Sequence, residues 1–163
     1  MTTTPGKTIY EENVHYLKER APHLLETLLS IPVSRVKIEP AKNGSLTLRY
    51  TVDNDCFYLH SRFNPGAEAE KLLQKKDLSA DHYIVMGLGL GYHLEKLMVL
   101  RDPLSRVLLI EPDLEIAAHS LHVIRWRQLL DCKDFFFVLG TDTRDLPLTL
   151  HRYIHMAIFD KLE

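Results

Sequence analysis

The stretch 84-IVMGLGLGYHLEKL-97 decides the fold. A short apolar run comes first, then Gly87, Gly89 and Gly91 at every second position, and then a helical pattern. This order is typical of the first strand–turn–helix unit of a Rossmann-like domain, in which the turn cradles a nucleotide or cofactor. Residues 87–91, here called the glycine turn, therefore either bind such a ligand or only join a strand tightly to a helix.

Uniformly apolar strands alternate with helices from residue 81 onward. The predicted strands are 83–86, 106–110, 135–139 and 156–160, and the predicted helices are 92–100, 113–124, a short turn near 126–130, and 143–153. Strands of this kind indicate a parallel sheet that helices cover on both faces, with right-handed crossovers. Residues 81–163 are therefore interpreted as a Rossmann-like parallel half-sheet with flanking helices.

The chain before residue 81 follows a different pattern. Residues 10–29 carry an apolar stripe at helical spacing, which Pro22 divides into two helices. Three strands with alternating apolar residues follow at 35–39, 46–52 and 56–60, and a linking helix follows them at 67–76. Residues 1–80 thus predict a helical arm, a three-stranded antiparallel meander and a linking helix. The whole chain is predicted to be of the α/β class.

Composition and charge exclude several kinds of partner. The 163 residues are 45% hydrophobic and 26% charged, and the formal net charge of −2 gives no bulk attraction to nucleic acid or anionic membranes. Apolar runs such as 135-FFFVL-139 are too short to span a bilayer, and the first residues contain no apolar signal segment. Cys56 and Cys132 lie in no metal-ligand pattern. We therefore expect a cytoplasmic protein that binds neither nucleic acid nor membrane.

The spacing of the glycines bears on what the turn binds. The dinucleotide pattern G-x-G-x-x-G needs its third glycine where Tyr92 stands, whereas here it comes one residue early, at Gly91. The spacing G-x-G-x-G is more similar to the first motif of the S-adenosylmethionine-dependent methyltransferases. Their motif has an acidic residue two positions before the first glycine, where this chain has Val85. A nucleotide-like ligand at Gly87, Gly89, Gly91 and Tyr92 and a ligand-free turn both stay open.

Acidic residues at strand ends are further candidates for ligand binding. Glu111 follows strand 106–110, twenty residues after Gly91, where Rossmann-like folds hold ribose hydroxyls with an acidic side chain. Pro112 offers a second explanation, because it restricts Glu111 to an extended conformation. Three more polar residues follow predicted strands at the same edge of the sheet: Thr141, Asp142 and Asp160. Residues of these types are also common helix caps and turn residues.

Catalytic and metal-binding patterns are not recognisable in the sequence. His119 and His122, and likewise His151 and His155, are spaced to share a helical face, but each pair lacks a third ligand. No G-x-S-x-G, Walker A or C-x-x-C motif occurs. We therefore predict no catalytic residue and no metal ligand.

Three segments follow one another in a distinctive order: 59-LHSRFNPGAEAEKLL-73, 84-IVMGLGLGYHLEKLM-98 and 107-VLLIEPDLEI-116. Together they resemble the N-terminal region of the motility accessory factor (Maf) family, the flagellin glycosyltransferases of motile bacteria. Its members carry S-x-[YF]-N-P-x-x-E-A, then G-L-G-L-G-Y-H, then a strand ending in E-P-D. The positions that match the first motif are Ser61, Phe63, Asn64, Pro65, Glu68 and Ala69. Phe63 stands where tyrosine is common.

The resemblance implies a function and a place in a larger protein. Maf proteins are cytoplasmic and are thought to transfer nonulosonic acids, such as pseudaminic or legionaminic acid, from a CMP-activated donor to Ser or Thr of flagellin. Their transferase domain, related to 6-hydroxymethylpterin diphosphokinase-like domains, follows the N-terminal region. Residues 1–163 would then be one compact N-terminal domain, inactive alone, with the downstream transferase domain and flagellin as partners. The abrupt end of the half-sheet agrees with a fragment.

Two alternatives stay open beside this interpretation. One is a stand-alone methyltransferase-like protein that binds S-adenosylmethionine or a nucleotide at the glycine turn. The other is a pure protein-interaction module with no small-molecule site.

Overall fold

The computed structural model describes residues 7–142 and 144–159, with side chains described as far as residue 155. In these residues, seven helices and six strands follow one another. They are α1 (Ile9–Arg20), α2 (Pro22–Ser30), β1 (Val36–Pro40), β2 (Leu46–Val52), β3 (Asp55–Tyr58), α3 (Pro65–Leu73), β4 (His82–Met86), α4 (Tyr92–Leu100), β5 (Arg106–Glu111), α5 (Leu114–Ser120), α6 (Trp126–Leu130), β6 (Phe135–Leu139) and α7 (Leu146–Phe159). Every helix in this part of the chain is too short or too polar to traverse a membrane.

The strands form two three-stranded sheets. In the antiparallel meander β1-β2-β3, Ile38 lies opposite Leu48. In the parallel sheet β4-β5-β6, the central strand places Leu108 between Ile84 and Phe136. This arrangement confirms the predicted α/β class, with an antiparallel meander followed by a parallel half-sheet.

The N-terminal helices begin where their sequence predicts and dock on the parallel half. The Oγ1 atom of Thr8 accepts a hydrogen bond from the Glu11 amide at 3.2 Å, and the Glu11 carboxylate accepts one from the Thr8 amide at 2.8 Å. This capping box fixes the start of α1. The buried Asn13 side chain donates to the carbonyl oxygen of Ile124 at 2.7 Å and accepts from the Trp126 amide at 3.0 Å. These bonds fasten α1 to the loop between α5 and α6.

Helices cover the two faces of the parallel sheet unequally. One face packs against the N-terminal helices, α4, α5 and α6 around a core that includes Val107 and Leu109. On the other face, α7 covers β5 and β6 through contacts such as that of Tyr153 with Leu108. The side chains of β4 on this second face lie at the margin of the cover, and Met86 is 53% exposed.

The prediction of a fourth strand at 156–160 is wrong. Residues 156–159 continue α7, and Asp160 lies outside the described residues. Leu146, Leu150 and Tyr153 recur at helical spacing on the face that packs against β5 and β6. No glycine or proline interrupts residues 148–159, so the helix continues through an apolar run that is too short to distinguish a strand from a helix.

Candidate functional site at the glycine turn

The glycine turn has a backbone that requires glycine. Gly87, Gly89 and Gly91 have φ angles of +87°, +53° and +76°, in the left-handed region that other residues rarely adopt. A Cβ atom on Gly89 would lie 2.5 Å from Nε2 of His60, and one on Gly91 would lie 2.5 Å from Cδ1 of Ile124. The missing side chains therefore let two distant side chains lie directly against the turn.

Glu111 binds the glycine turn from the end of β5. It ends β5, and only 3% of it is exposed. One carboxylate oxygen accepts from the Leu88 amide at 2.7 Å and the other from the Asp113 amide at 2.9 Å. Burial raises the pKa of Glu111, and the hydrogen bonds from the main chain of Leu88, Asp113 and Gly89 act in the opposite direction. The side chain that the sequence assigns to ribose hydroxyls is thus engaged by its own main chain.

His60 binds the turn from the segment between β3 and α3. It follows β3, is 8% exposed, and accepts a hydrogen bond at Nε2 from the Leu90 amide at 2.7 Å. The accepting nitrogen carries no proton, which places the proton of the neutral ring on Nδ1. Burial, with His93 as a second cause, lowers the pKa of His60 to about 4. The sequence analysis missed this residue; the available signal was its place directly before Ser61 of the first Maf-like motif.

Two residues at the start of α4 complete the junction. His93 pairs its Nε2 with the carbonyl oxygen of Gly87 at 3.0 Å, and burial lowers its pKa. The Tyr92 hydroxyl donates to the carbonyl oxygen of Leu46 at 2.8 Å and accepts from the amide of the same residue at 3.1 Å. Its ring also meets the His60 ring edge-on, with centroids 5.3 Å apart. The junction thus joins α4, β2 and the segment after β3.

The first Maf-like motif builds the start of α3. Asn64 is the N-cap residue, and its Oδ1 accepts from the Ala67 amide at 3.0 Å, while Pro65 occupies the first helical position. The Ser61 hydroxyl accepts from the Asn64 amide at 3.2 Å, and the Glu68 carboxylate accepts from the Ser61 amide at 2.7 Å. The motif therefore fixes the segment that carries His60 to the turn.

A cleft of about 510 Å³ separates α3 from the glycine turn. It brings together four of the predicted ligand residues and three of the motif residues: Gly87, Gly89, Tyr92, Glu111, Pro65, Glu68 and Ala69. Asp142 does not line the cleft. This exposed carboxylate pairs with Nη2 of Arg144 at 2.6 Å, and the hydrogen bonds that it accepts from the side chain and main chain of Arg144 lower its pKa. Within the described ranges, no three His, Cys, Asp or Glu side chains are placed to hold a metal ion.

A second cavity of about 530 Å³ lies beside the ends of β5 and β6. Its charges are paired within the chain: Nη2 of Arg35 lies 2.9 Å from Oδ1 of Asp113, and the Tyr50 hydroxyl donates to Oδ2 of Asp113 at 2.6 Å. The cavity thus presents ion pairs and hydrogen bonds that are already satisfied internally.

Glu115, beside this cavity, ties the meander to α5. Only 2% of it is exposed, and its Oε1 accepts from the amides of Ser34, Arg35 and Val36 at 2.5, 2.7 and 2.9 Å. Burial alone would raise the pKa of Glu115, but the hydrogen bonds from these amides and the charge of Arg35 outweigh it and hold the pKa below its usual value. The carboxylate therefore stays ionised and fixes the start of β1.

Comparison with known families assigns the chain. The model of the glycosyltransferase Maf N-terminal domain matches residues 52–135, which is more than half of the chain. The matched range includes the first Maf-like motif, the glycine turn and Glu111. The chain belongs to the Maf glycosyltransferase family. The resemblance of the three sequence segments is thereby confirmed.

Solved structures add information on the fold of this Maf domain. The structure of a Maf glycosyltransferase from Magnetospirillum magneticum AMB-1 is similar with a TM-score of 0.68 and 17% identity, over 92% of this chain and 29% of that one. At this identity the similarity establishes a shared fold, and the chain spans less than a third of that protein's length. A protein-L-isoaspartate O-methyltransferase matches at 19% identity over 80% of this chain and 42% of its own, with a TM-score of 0.38, too low to support an argument. Among curated proteins, none matches.

Proposed function

We propose that this chain is the N-terminal accessory domain of a cytoplasmic Maf enzyme that glycosylates flagellin, and that the catalytic domain lies outside these 163 residues. In the complete enzyme, a nonulosonic acid passes from a CMP-activated donor to Ser or Thr of flagellin. This domain supports the transferase domain. The family match and the 29% span of the similar Maf structure support this assignment.

A non-catalytic role is supported by the hydrogen bonds that the titratable side chains around the cleft form with the main chain. His60, His93, Glu68 and Glu111 each hold a main-chain group of the chain itself, at 2.7 to 3.0 Å. A phosphate cradle needs free amide donors, whereas the Leu88 and Leu90 amides of the glycine turn already donate to Glu111 and His60. An anion that entered the turn would have to displace both His60 and Glu111 from their amides.

Ligand-dependent melting separates this role from that of a small-molecule binder. The purified 163-residue chain is heated with CMP, a CMP-activated nonulosonic acid, S-adenosylmethionine or S-adenosylhomocysteine, each at millimolar concentration. Any ligand that binds the native state must raise the Tm, and we expect no change with any of the four. A rise of several degrees with one of them would instead support a ligand site at the glycine turn.

Transfer to flagellin tests the proposed reaction. The complete glycosyltransferase that contains this domain is incubated with unmodified flagellin and the CMP-activated sugar, and the product is measured by intact mass. We expect the mass of flagellin to increase with the complete enzyme and to stay unchanged with the 163-residue chain. Reactions without the activated sugar are the control, and transfer by the 163-residue chain alone would refute the accessory role.

A further inference from the structure

The outer edge of β4 carries main-chain groups that no strand of the described residues pairs with. In the parallel sheet β4 pairs with β5, and Gly87, just after β4, donates its amide to the carbonyl oxygen of Ile110 at 2.8 Å. Because main-chain groups alternate in direction along a strand, those of Ile84 and Met86 point away from β5. Among the residues that the structure describes, no strand pairs with this edge.

The side chains of β4 are those of an interior strand. Ile84 and Met86 lie on the same face as α7 but at the margin of its cover, where they are 47% and 53% exposed, while Tyr83 and Val85 pack into the core on the other face. Exposed sheet edges in natural monomers commonly carry lysine, proline or a bulge that prevents pairing with another chain. The sequence of β4, HYIVM, contains none of the protective residues.

The apolar surface continues beyond the strand. Leu72 on α3 is 49% exposed, Leu59 is 40% exposed, and both line the cleft beside Met86. Met86 thus belongs both to the exposed apolar side chains of β4, with Ile84, and to the cleft that Leu59 and Leu72 line. A partner for this surface must supply main-chain donors and acceptors along the strand and apolar side chains on the same face.

We infer that an extended segment of the same glycosyltransferase, from outside these 163 residues, pairs with the outer edge of β4 as a further strand. This inference rests on the proposed function. The similar Maf structure is covered over only 29% of its length, so most of such a polypeptide lies beyond this domain. Parallel sheets are stable when both faces are covered, and sheets of more than three strands are usual.

Hydrogen exchange at single amides tests the pairing. The Ile84 and Met86 amides are followed in the 163-residue chain and in the complete glycosyltransferase by mass spectrometry with residue-level fragmentation. We expect fast exchange in the short chain and at least 100-fold slower exchange in the complete enzyme, because a paired amide exchanges only when the pairing opens. The Val85 amide, which faces β5, serves as an internal control and is slow in both. Fast exchange of Ile84 and Met86 in the complete enzyme would overturn the inference.

A matched pair of variants tests the same surface through stability. Met86→Lys places a charge on the proposed interface, and Val99→Lys places one on the outer side of α4, where Val99 is 79% exposed. We expect Met86→Lys to lower the Tm of the complete enzyme by several degrees and that of the 163-residue chain by no more than about 1 °C. Val99→Lys should alter neither. An equal effect of Met86→Lys on both proteins, or none on either, contradicts the inference.

Two further outcomes are distinguishable. If sedimentation shows that the 163-residue chain is a dimer that Met86→Lys dissociates, the edge binds a second copy and the inference is overturned. If the complete enzyme fails to modify flagellin but protects the Ile84 and Met86 amides, the proposed reaction fails while the strand pairing stands.

Discussion

At the scale of single residues, the contact between His60 and Gly89 determines what the glycine turn can do. The imidazole lies so close to Gly89 that a Cβ atom on this residue would be only 2.5 Å from Nε2 of His60. From this position it accepts the Leu90 amide, one of the donors that a nucleotide-binding turn offers to phosphate. In this chain the Leu90 amide is used by His60, and the contact joins the segment after β3 to the glycine turn.

The hydrogen bond from Leu90 to His60 should contribute measurably to stability. His60→Ala leaves a buried amide without an acceptor and a cavity beside the turn, and we expect it to lower the free energy of unfolding by about 2–4 kcal/mol. His60→Gln keeps an acceptor near the position of Nε2 and should cost less than half as much. Urea unfolding at pH 7.5 measures both variants. Equal losses would show that packing alone, and not the hydrogen bond, is responsible.

His60 should also make stability depend on pH. Its pKa is about 4 in the folded chain, below the usual 6.5, so the unfolded chain binds a proton more readily. The contribution of His60 is therefore complete above pH 6.5 and is lost as the pH falls towards 4. The shift corresponds to about 3 kcal/mol, and His60→Gln should remove it. The free energy of unfolding of both proteins from pH 7.5 to 4.5 tests this; parallel profiles would contradict it.

At the scale of secondary-structure elements, one buried carboxylate joins the meander to the parallel half. The Glu115 side chain on α5 receives three consecutive amides at the start of β1. It also lies 3.1 Å from Nε of Arg35, whose Nη2 reaches Asp113. Since β1 is joined to β2 and β2 to β3, this contact positions the whole meander relative to α5.

We therefore expect Glu115→Gln to be strongly destabilising. The amide side chain loses the charge and, with its oxygen kept at the three main-chain amides, turns its NH2 group towards Nε of Arg35, which should cost about 2–4 kcal/mol. Glu70→Gln is the matched control, because Glu70 forms an exposed ion pair with Lys96 at 2.6 Å, and such pairs contribute at most about 1 kcal/mol. Urea unfolding compares the two. Similar effects of both substitutions would argue against a special role for Glu115.

The elements were largely predictable from the sequence because local patterns define them. Alternating and helical periodicities gave the antiparallel meander, the three parallel strands and the division of the N-terminal helices at Pro22. The apolar run at 156–159 fits a strand as well as a helix, because four residues are too few to show a period. The apolar stripe on α7 that precedes it faces β5 and β6, and this packing is a tertiary contact that the run itself does not encode.

The partners of the candidate site were less predictable than its location. The glycine turn and Glu111 were identified from spacing, but the side chain opposite them, His60, comes from 30 residues earlier in the chain. Tyr92 was identified as a ligand residue from its place in the motif, whereas its hydroxyl bonds to Leu46 across 46 residues. Contacts over such separations depend on how the meander docks, which no local pattern encodes.

At the scale of the whole molecule, three sets of buried polar contacts connect the first half of the chain to the parallel sheet. Asn13 binds the loop before α6, His60 binds the glycine turn, and Glu115 binds the start of β1. Separation of the two halves would break all three contacts and expose to water the apolar clusters that the halves share. The two sheets should therefore unfold together.

Two probes of unfolding test this cooperativity. Far-UV circular dichroism reports both halves, whereas the fluorescence of Trp126, the one tryptophan, reports its buried site next to α1. We expect the two urea transitions to coincide within error, as in a two-state domain. A separate early loss of ellipticity, with unchanged fluorescence, would show that the meander unfolds on its own.

The anchoring of α1 by Asn13 also sets the order in which the chain can fold during its synthesis. The carbonyl and amide groups that Asn13 binds are made about 110 residues after it. At roughly 5–20 residues per second, this interval lasts about 5 to 20 s. Helix α1 is thus made well before the groups that anchor it, and Leu17, which is fully buried in the folded domain, completes its packing against Leu121 and Trp126 only after that interval.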